Sequence, residues 1–212
     1  MLAAAAAPAW AAGGHHAVDD AAILEPRQCE AESWTAHGRG ARPTVQAGLN
    51  CRLGPAEFGF AAEQARDPGT SATSWQAQAK WATQLTDSLS VGASLAPTWQ
   101  AQLRPHYQGI TATALVSADA GHGTSVHANL GREYMHRGPG YARWGVGLEW
   151  AVRDVLVISA ERFVQEGGQF LRAGLRWQAG ERLMLDLSHA HHVRGEGRST
   201  WTAAVSWQFH RP

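Results

Sequence analysis

The stretch STWTAAVSWQF, residues 199–209, decides the fold. Trp201, Ala203, Val205, Trp207 and Phe209 occupy every second position, and Thr200, Thr202, Ala204, Ser206 and Gln208 fill the gaps. A period of two marks a strand with one apolar and one polar face. At about 3.3 Å per residue the two tryptophans stand roughly 20 Å apart. Rings at both ends of an apolar band suit the two interfaces of a bilayer, and a tilted strand of about ten residues is long enough to cross one.

The same pattern runs outward through the chain. Trp75, Ala77, Ala79, Trp81, Thr83 and Leu85 share a face against Gln76, Gln78, Lys80 and Gln84. Trp144, Val146, Leu148 and Trp150 stand against Arg143, Gly145, Gly147 and Glu149. Further strands are expected over Thr44–Arg52, around Phe58 and Phe60, and over Leu89–Trp99, Ile110–Val116, Val126–Tyr134, Val155–Val164, Leu171–Trp177 and Leu183–Leu187. The least regular is the first, Cys29–His37, whose two faces are hard to tell apart. The Trp-x5-Trp spacing recurs at 75/81, 144/150 and 201/207. Connections are tight after the second, fourth, eighth and tenth strands and long after the third, fifth and eleventh.

These features predict an all-β fold, an antiparallel transmembrane β-barrel of twelve strands, with ten or fourteen as the alternative counts. A soluble sandwich also alternates, with its apolar face in a core, but it seldom runs so many ten-residue strands with Trp near both ends. In the barrel, Trp75, Trp81, Trp99, Trp144, Trp150, Trp177, Trp201, Trp207 and Phe209 form a lipid-facing aromatic girdle.

Composition narrows the function classes. The chain has 212 residues with 18 basic and 18 acidic side chains, so no net charge points to nucleic acid. Ten Trp outnumber five Phe and three Tyr, and lysine is nearly absent. No apolar run reaches the roughly 18 residues of a membrane helix, and the mean hydropathy is negative. A barrel shares that profile, because only alternate residues face lipid. The start, MLAAAAAPAWAAGG, reads as the apolar core of a secretory signal with a small-x-small site at Ala9-Trp10-Ala11, although no basic stretch precedes it. The expected organisation is a signal peptide over 1–12, a periplasmic segment over 13–28 and the barrel over 29–212.

The polar face becomes the lumen, lined by Gln76, Gln78, Lys80, Arg143, Glu149, Glu161, Arg172, Arg176 and Asp186. Six of these are charges on four consecutive strands. A hairpin centred near residues 166 and 167 sets Glu161 opposite Arg172. Such charges must pair, since an unpaired buried charge is expensive. They form either a structural ion network or a constriction that selects a solute. Cys29 and Cys51 lie equally far from Gly40 and could form a disulfide in an oxidising compartment. His15 and His16 with Asp19 and Asp20 carry metal-ligand chemistry, as do His189, His191 and His192, but neither group has a zinc spacing. No nucleophile–base stretch or phosphate loop stands out, so no catalytic residue and no cofactor is assigned.

The closing strand with its near-terminal aromatic resembles the last strand of Gram-negative outer-membrane barrels, although His210, Arg211 and Pro212 follow it. That resemblance implies the cell outer membrane as location, membrane lipid and the barrel-assembly machinery as partners, and the closing strand as the insertion signal. The order His15, Asp19, Asp20, Gln28, Glu32 is similar to the start of the "MetA pathway of phenol degradation"-like barrel family, without its Thr-Gly-Thr-Gln-Gly run. This second resemblance implies passage of small, aromatic solutes. The expected activity is passive or facilitated passage of a small solute. A structural or surface-interaction barrel with a plugged lumen is the alternative, and an outer-membrane hydrolase the third.

Overall fold

A computed structural model describes residues 15–67 and 69–211. The expected signal peptide lies outside them. Twelve strands follow in order: β1 Gln28–His37, β2 Thr44–Leu53, β3 Ala56–Asp67, β4 Thr70–Thr86, β5 Leu89–Gln100, β6 Tyr107–Gly121, β7 Thr124–Met135, β8 Tyr141–Arg153, β9 Leu156–Gln165, β10 Gly168–Gln178, β11 Leu183–Gly195 and β12 Thr200–His210. Each pairs antiparallel with the next, and β12 pairs with β1 from Gln28↔His210 to His37↔Trp201, closing the barrel. Closure leaves no strand edge with unpaired backbone groups. The rim at Gln28 and His210 is called the near rim below, and the opposite one the far rim.

The alternation read from the sequence is the alternation of the wall. Along β12, Thr202, Ala204, Ser206 and Gln208 are buried inside while Trp201, Ala203, Val205 and Trp207 are exposed outside. Trp81, Trp144, Trp150, Trp177, Trp201 and Trp207 are 39–56% exposed. Trp75 and Trp99 sit opposite each other on β4 and β5 and half-bury one another. Phe209 is half-buried opposite Cys29. Between the rings the outer face carries Leu95, Val116, Val146, Leu148, Ile158, Leu175 and Leu187, all exposed. A continuous apolar belt of this kind fits hydrocarbon rather than water.

Of the connections expected to be long, those after the third and eleventh strands are short, the latter only 196–199. The run from Arg66 to Ser71 is mostly strand, with only 68–69 between β3 and β4, and only Glu166 and Gly167 separate β9 from β10. Glu166 and Gly167 have φ of 50° and 77°, as do His122 (54°) and Gly123 (72°) at the β6–β7 turn. Two successive positive φ values suit the right-handed twist of a two-residue hairpin. These strand ends are polar on both faces, so no period of two marks them. The longer links are 38–43, 101–106 and 136–140, all at the far rim.

Cys29 and Cys51 are opposite residues of β1 and β2 and are joined by a disulfide. The bond lies on the outer face at the near rim, where β1 has its least apolar side.

Two outcomes are expected. Leu148→Arg, between the girdle rings Trp144 and Trp150, should lower unfolding free energy in lipid vesicles by about 2–4 kcal/mol, the cost of arginine at mid-bilayer; a loss below about 0.5 kcal/mol would remove the belt from lipid. A Cys29→Ser/Cys51→Ser barrel should still migrate as a heat-modifiable band yet unfold at lower denaturant, by about 2–4 kcal/mol.

Candidate functional site

The lumen is occupied. From the near rim the chain turns at Arg27 (φ 67°), with the Gln28 N–H donating to Glu25 O at 2.9 Å, and residues 15–26 run back into the barrel. This is the segment expected outside, on the periplasmic side. Three of its apolar residues are enclosed: Val18, Ala21 and Leu24 are 3–5% exposed. Its long-range partners belong to the wall.

Leu24 is held at both backbone groups, its N–H donating to Glu57 Oε2 (3.0 Å) and its carbonyl accepting from Arg52 Nη1 (3.0 Å). Lys80, the single lysine of the chain, donates to Asp19 Oδ1 at 2.8 Å and Asp20 Oδ1 at 3.0 Å. The Asn129 amide brackets the Asp19 backbone, its nitrogen donating to the carbonyl (2.8 Å) and its oxygen accepting from the N–H (2.6 Å). Val18 packs with Phe163 and Ala190, and β8 makes room for it with glycine. A methyl group on Gly145 would lie 2.5 Å from the Val18 side chain. His16 Nδ1 pairs with Glu161 Oε1 at 2.8 Å, His15 Nδ1 with Glu32 Oε1 at 3.2 Å, and Arg172 donates to His15 O at 2.6 Å.

The segment and the wall share one ionic network. Arg172 and Glu161 are directly opposite on β10 and β9 and bond at 3.3 Å. Arg176 bridges Asp186 Oδ1 (3.1 Å) and Glu149 Oε1 (3.3 Å). His16 Nε2 faces Asp186 Oδ1 at 3.6 Å. Burial pushes the Asp19 carboxyl up to about 6 against the pull of Lys80. Burial, with His16 beside it, holds His15 below the usual imidazole range. For His16 burial acts the same way, but the Asp186 and Glu161 carboxylates outweigh it and hold the ring above that range. At His16 the carboxylates of the wall therefore favour positive charge, while the His15 ring stays neutral more readily.

Of the expected lumen residues, Lys80, Glu161, Arg172, Arg176, Asp186 and Glu149 meet in these contacts, while Gln76, Gln78 and Arg143 line open space. Asp19 and Asp20 do not gather with His15 and His16; they go to Lys80. Sequence reasoning passed over the inward face of β1. Glu30 accepts from Gln208 Nε2 (2.8 Å), which is also bonded through Oε1 to Gln28. Alternation from Gln28 through Glu30, Glu32 and Trp34 carried the signal, obscured because the outer face there is Cys29, Ala31, Ser33 and Thr35.

Two spaces remain beside the segment. A vestibule of about 640 Å³ opens in the far half, lined by Trp34, Gln46, Gln76, Gln100, Gln108, Thr111, Arg143 and Thr202 among others. A narrower cavity of about 160 Å³ is lined by Asp19, Leu24, Glu30, Glu57, Gln78, Lys80 and Asn129 among others. Both are bounded by His16, Ala17, Gln46, Gln76, Thr111 and Arg143, so the two spaces adjoin beside the segment.

A serine and a histidine also meet in the wall. Ser117 Oγ lies 2.7 Å from His127 Nδ1 and accepts from the Ala21 N–H at 2.7 Å. The other ring nitrogen, His127 Nε2, is buried and has no hydrogen-bond partner among the described residues. The orienting third group of a triad is therefore missing, and the serine oxygen is covered by the segment.

Solved barrels share this architecture. The chain superimposes on the KdgM porin with a TM-score of 0.71 at 8% identity, over 85% of this chain and 99% of that one. For the NanC porin the values are 0.64 and 7%, over 87% and 100%. For the toluene transporter TbuX of Ralstonia pickettii they are 0.56 and 11%, over 89% and 90%. At such identities the likeness is one of fold. No curated protein matches the sequence. A family model does match, over residues 1–207, and the chain belongs to that family, described as "Uncharacterised conserved protein UCP029691".

Proposed function

We propose that the protein is an outer-membrane barrel that lets a small, polar solute pass beside its internal segment. The observation that carries this reading is the shared lining of vestibule and inner cavity, which adjoin beside His16 and Ala17. Glutamine and threonine dominate the wide part, with Trp34 among them, a lining that hydrogen-bonds neutral and weakly charged solutes alike. The narrow part is strongly charged, with Glu30, Glu57 and Lys80 on it, and sets the selection there. Two of the three structures compared above are titled porins and the third a toluene transporter, in keeping with passage of small solutes.

The run that resembles the phenol-degradation family has a physical role. His15, Asp19 and Asp20 anchor the segment, Glu32 receives His15, and Gln28 ties the base of β1 to Gln208. The resemblance implies small aromatic solutes, which form a second panel beside the polar ones that the lining favours.

The tight polar seating of the segment favours a second reading, a closed structural barrel. Conductance separates the two. In planar bilayers the native chain should show small, discrete openings, and Lys80→Ala, which leaves Asp19 and Asp20 buried without their ammonium partner, should raise the unit conductance several-fold. Breaking such a buried set costs about 3–5 kcal/mol, enough to unseat a segment. Silence of both proteins, each folded by heat-modifiable migration, would leave the structural reading standing. The hydrolase reading is tested by a serine-directed fluorophosphonate. The chain should remain unlabelled, and labelling abolished by Ser117→Ala would make the Ser117–His127 pair catalytic.

A further inference from the structure

We propose that the barrel binds a divalent transition-metal ion between the tip of the internal segment and the wall, on His15 Nε2, His16 Nε2 and the Asp186 carboxylate. One ligand atom from each residue lies within 4.8 Å of the other two. The three side chains are 1%, 3% and 6% exposed.

Two observations beyond the clustering point to a cation. Each ring has its Nδ1 on a carboxylate, His15 on Glu32 and His16 on Glu161. A neutral imidazole that donates from Nδ1 carries a bare lone pair on Nε2, and a carboxylate behind the ring is what orients histidine ligands toward a metal. Both Nε2 atoms are buried without a hydrogen-bond partner among the described residues. Two lone pairs and a carboxylate oxygen enclosed together repel one another, and a cation at their centre converts that repulsion into coordination. The charge count agrees. Glu32, Glu149, Glu161 and Asp186 surround the rings, against the two guanidinium groups Arg172 and Arg176.

Two imidazoles and one carboxylate favour Zn²⁺ and its borderline neighbours over Mg²⁺ or Ca²⁺, which prefer oxygen. His15 and His16 belong to the segment and Asp186 to β11, so the ion would fasten the segment to the wall. The site stands whether or not a solute passes. Its competitor is a proton on His16 shared with Glu161 and Asp186, which would use the same carboxylates but leave His15 Nε2 without a partner.

The test uses the whole barrel in detergent, stripped with EDTA and checked for heat-modifiable migration. Calorimetric titration with Zn²⁺ should saturate at one ion per chain, and Co²⁺ should give the visible absorption of a low-coordinate nitrogen-ligated site. His16→Gln and Asp186→Asn, which keep side-chain volume, should weaken Zn²⁺ binding at least about 100-fold, at or beyond the upper end of the 10–100-fold typical of losing an outer-sphere group. A His189→Ala/His191→Ala/His192→Ala barrel should bind as the native chain does. Absence of saturable Zn²⁺ binding and of Co²⁺ absorption in the folded native barrel overturns the proposal in favour of the proton. Binding that persists in His15→Gln/His16→Gln, or that vanishes with the triple variant, overturns it in favour of the outer histidines.

Discussion

The pairing of β12 with β1 is the constraint on which the rest of the structure depends. A strand edge in hydrocarbon would expose a row of N–H and C=O groups with nothing to bond, so the sheet must close on itself. Ten pairs from Gln28↔His210 to His37↔Trp201 do this. Closure then fixes everything about side-chain direction. Each strand must give one face to lipid and the other to the lumen, and a one-residue slip would turn Trp201 and Trp207 inward and Ser206 and Gln208 into the membrane. The disulfide at Cys29 and Cys51 reinforces the same place, joining β2 to the first turn of the closing pair.

Closure also creates a problem inside. Twelve strands enclose more space than their inward side chains fill, and those side chains include acids and arginines that cannot be left alone. The wall answers part of this itself, through Arg172 with Glu161 and Arg176 with Glu149 and Asp186. The remainder is answered by residues 15–26. Asp19 and Asp20 neutralise Lys80, and His15 and His16 reach Glu32 and Glu161. Where the segment is apolar, at Val18, the wall offers Phe163 and Ala190 and two glycines in place of charge.

This division explains what was legible in the sequence. A strand declares itself locally, because its two faces meet lipid and lumen within two residues; β4, β8 and β12 could be read one at a time. The Cys29–Cys51 and Glu161–Arg172 oppositions followed from hairpin centres. The segment has no such local signal. Its contacts lie 17 residues away at Glu32, 61 at Lys80 and 145 at Glu161, and nothing in the run His15 to Leu24 repeats with a period. The inward Phe163 was hidden for a related reason. It packs on Phe170 at 5.1 Å and on Val18, so its apolarity serves the segment rather than the membrane. Strand ends beyond the bilayer, as at Arg66 and Thr70, lost their period because both faces meet water.

The way the segment is held bears on how it would leave. Its base is covalently fixed at Gln28 and hinged at Arg27, where φ is positive, while its tip is held by ionic and hydrogen-bonded contacts and one small apolar cluster. Ion pairs in a dry interior are strong partly because separating them leaves charge in a poor solvent. Here separation would admit water to both partners, since the inner cavity already borders Asp19 and Lys80. The penalty for parting Lys80 from Asp19 and Asp20 is therefore offset by hydration of all three, in a way it would not be in a protein core. The apolar contribution is small, from Val18 with its neighbours and the enclosed Ala21 and Leu24. A segment attached by contacts of this kind can be seated firmly and still exchange with an open state, which is the property a gated passage needs and a purely structural plug does not.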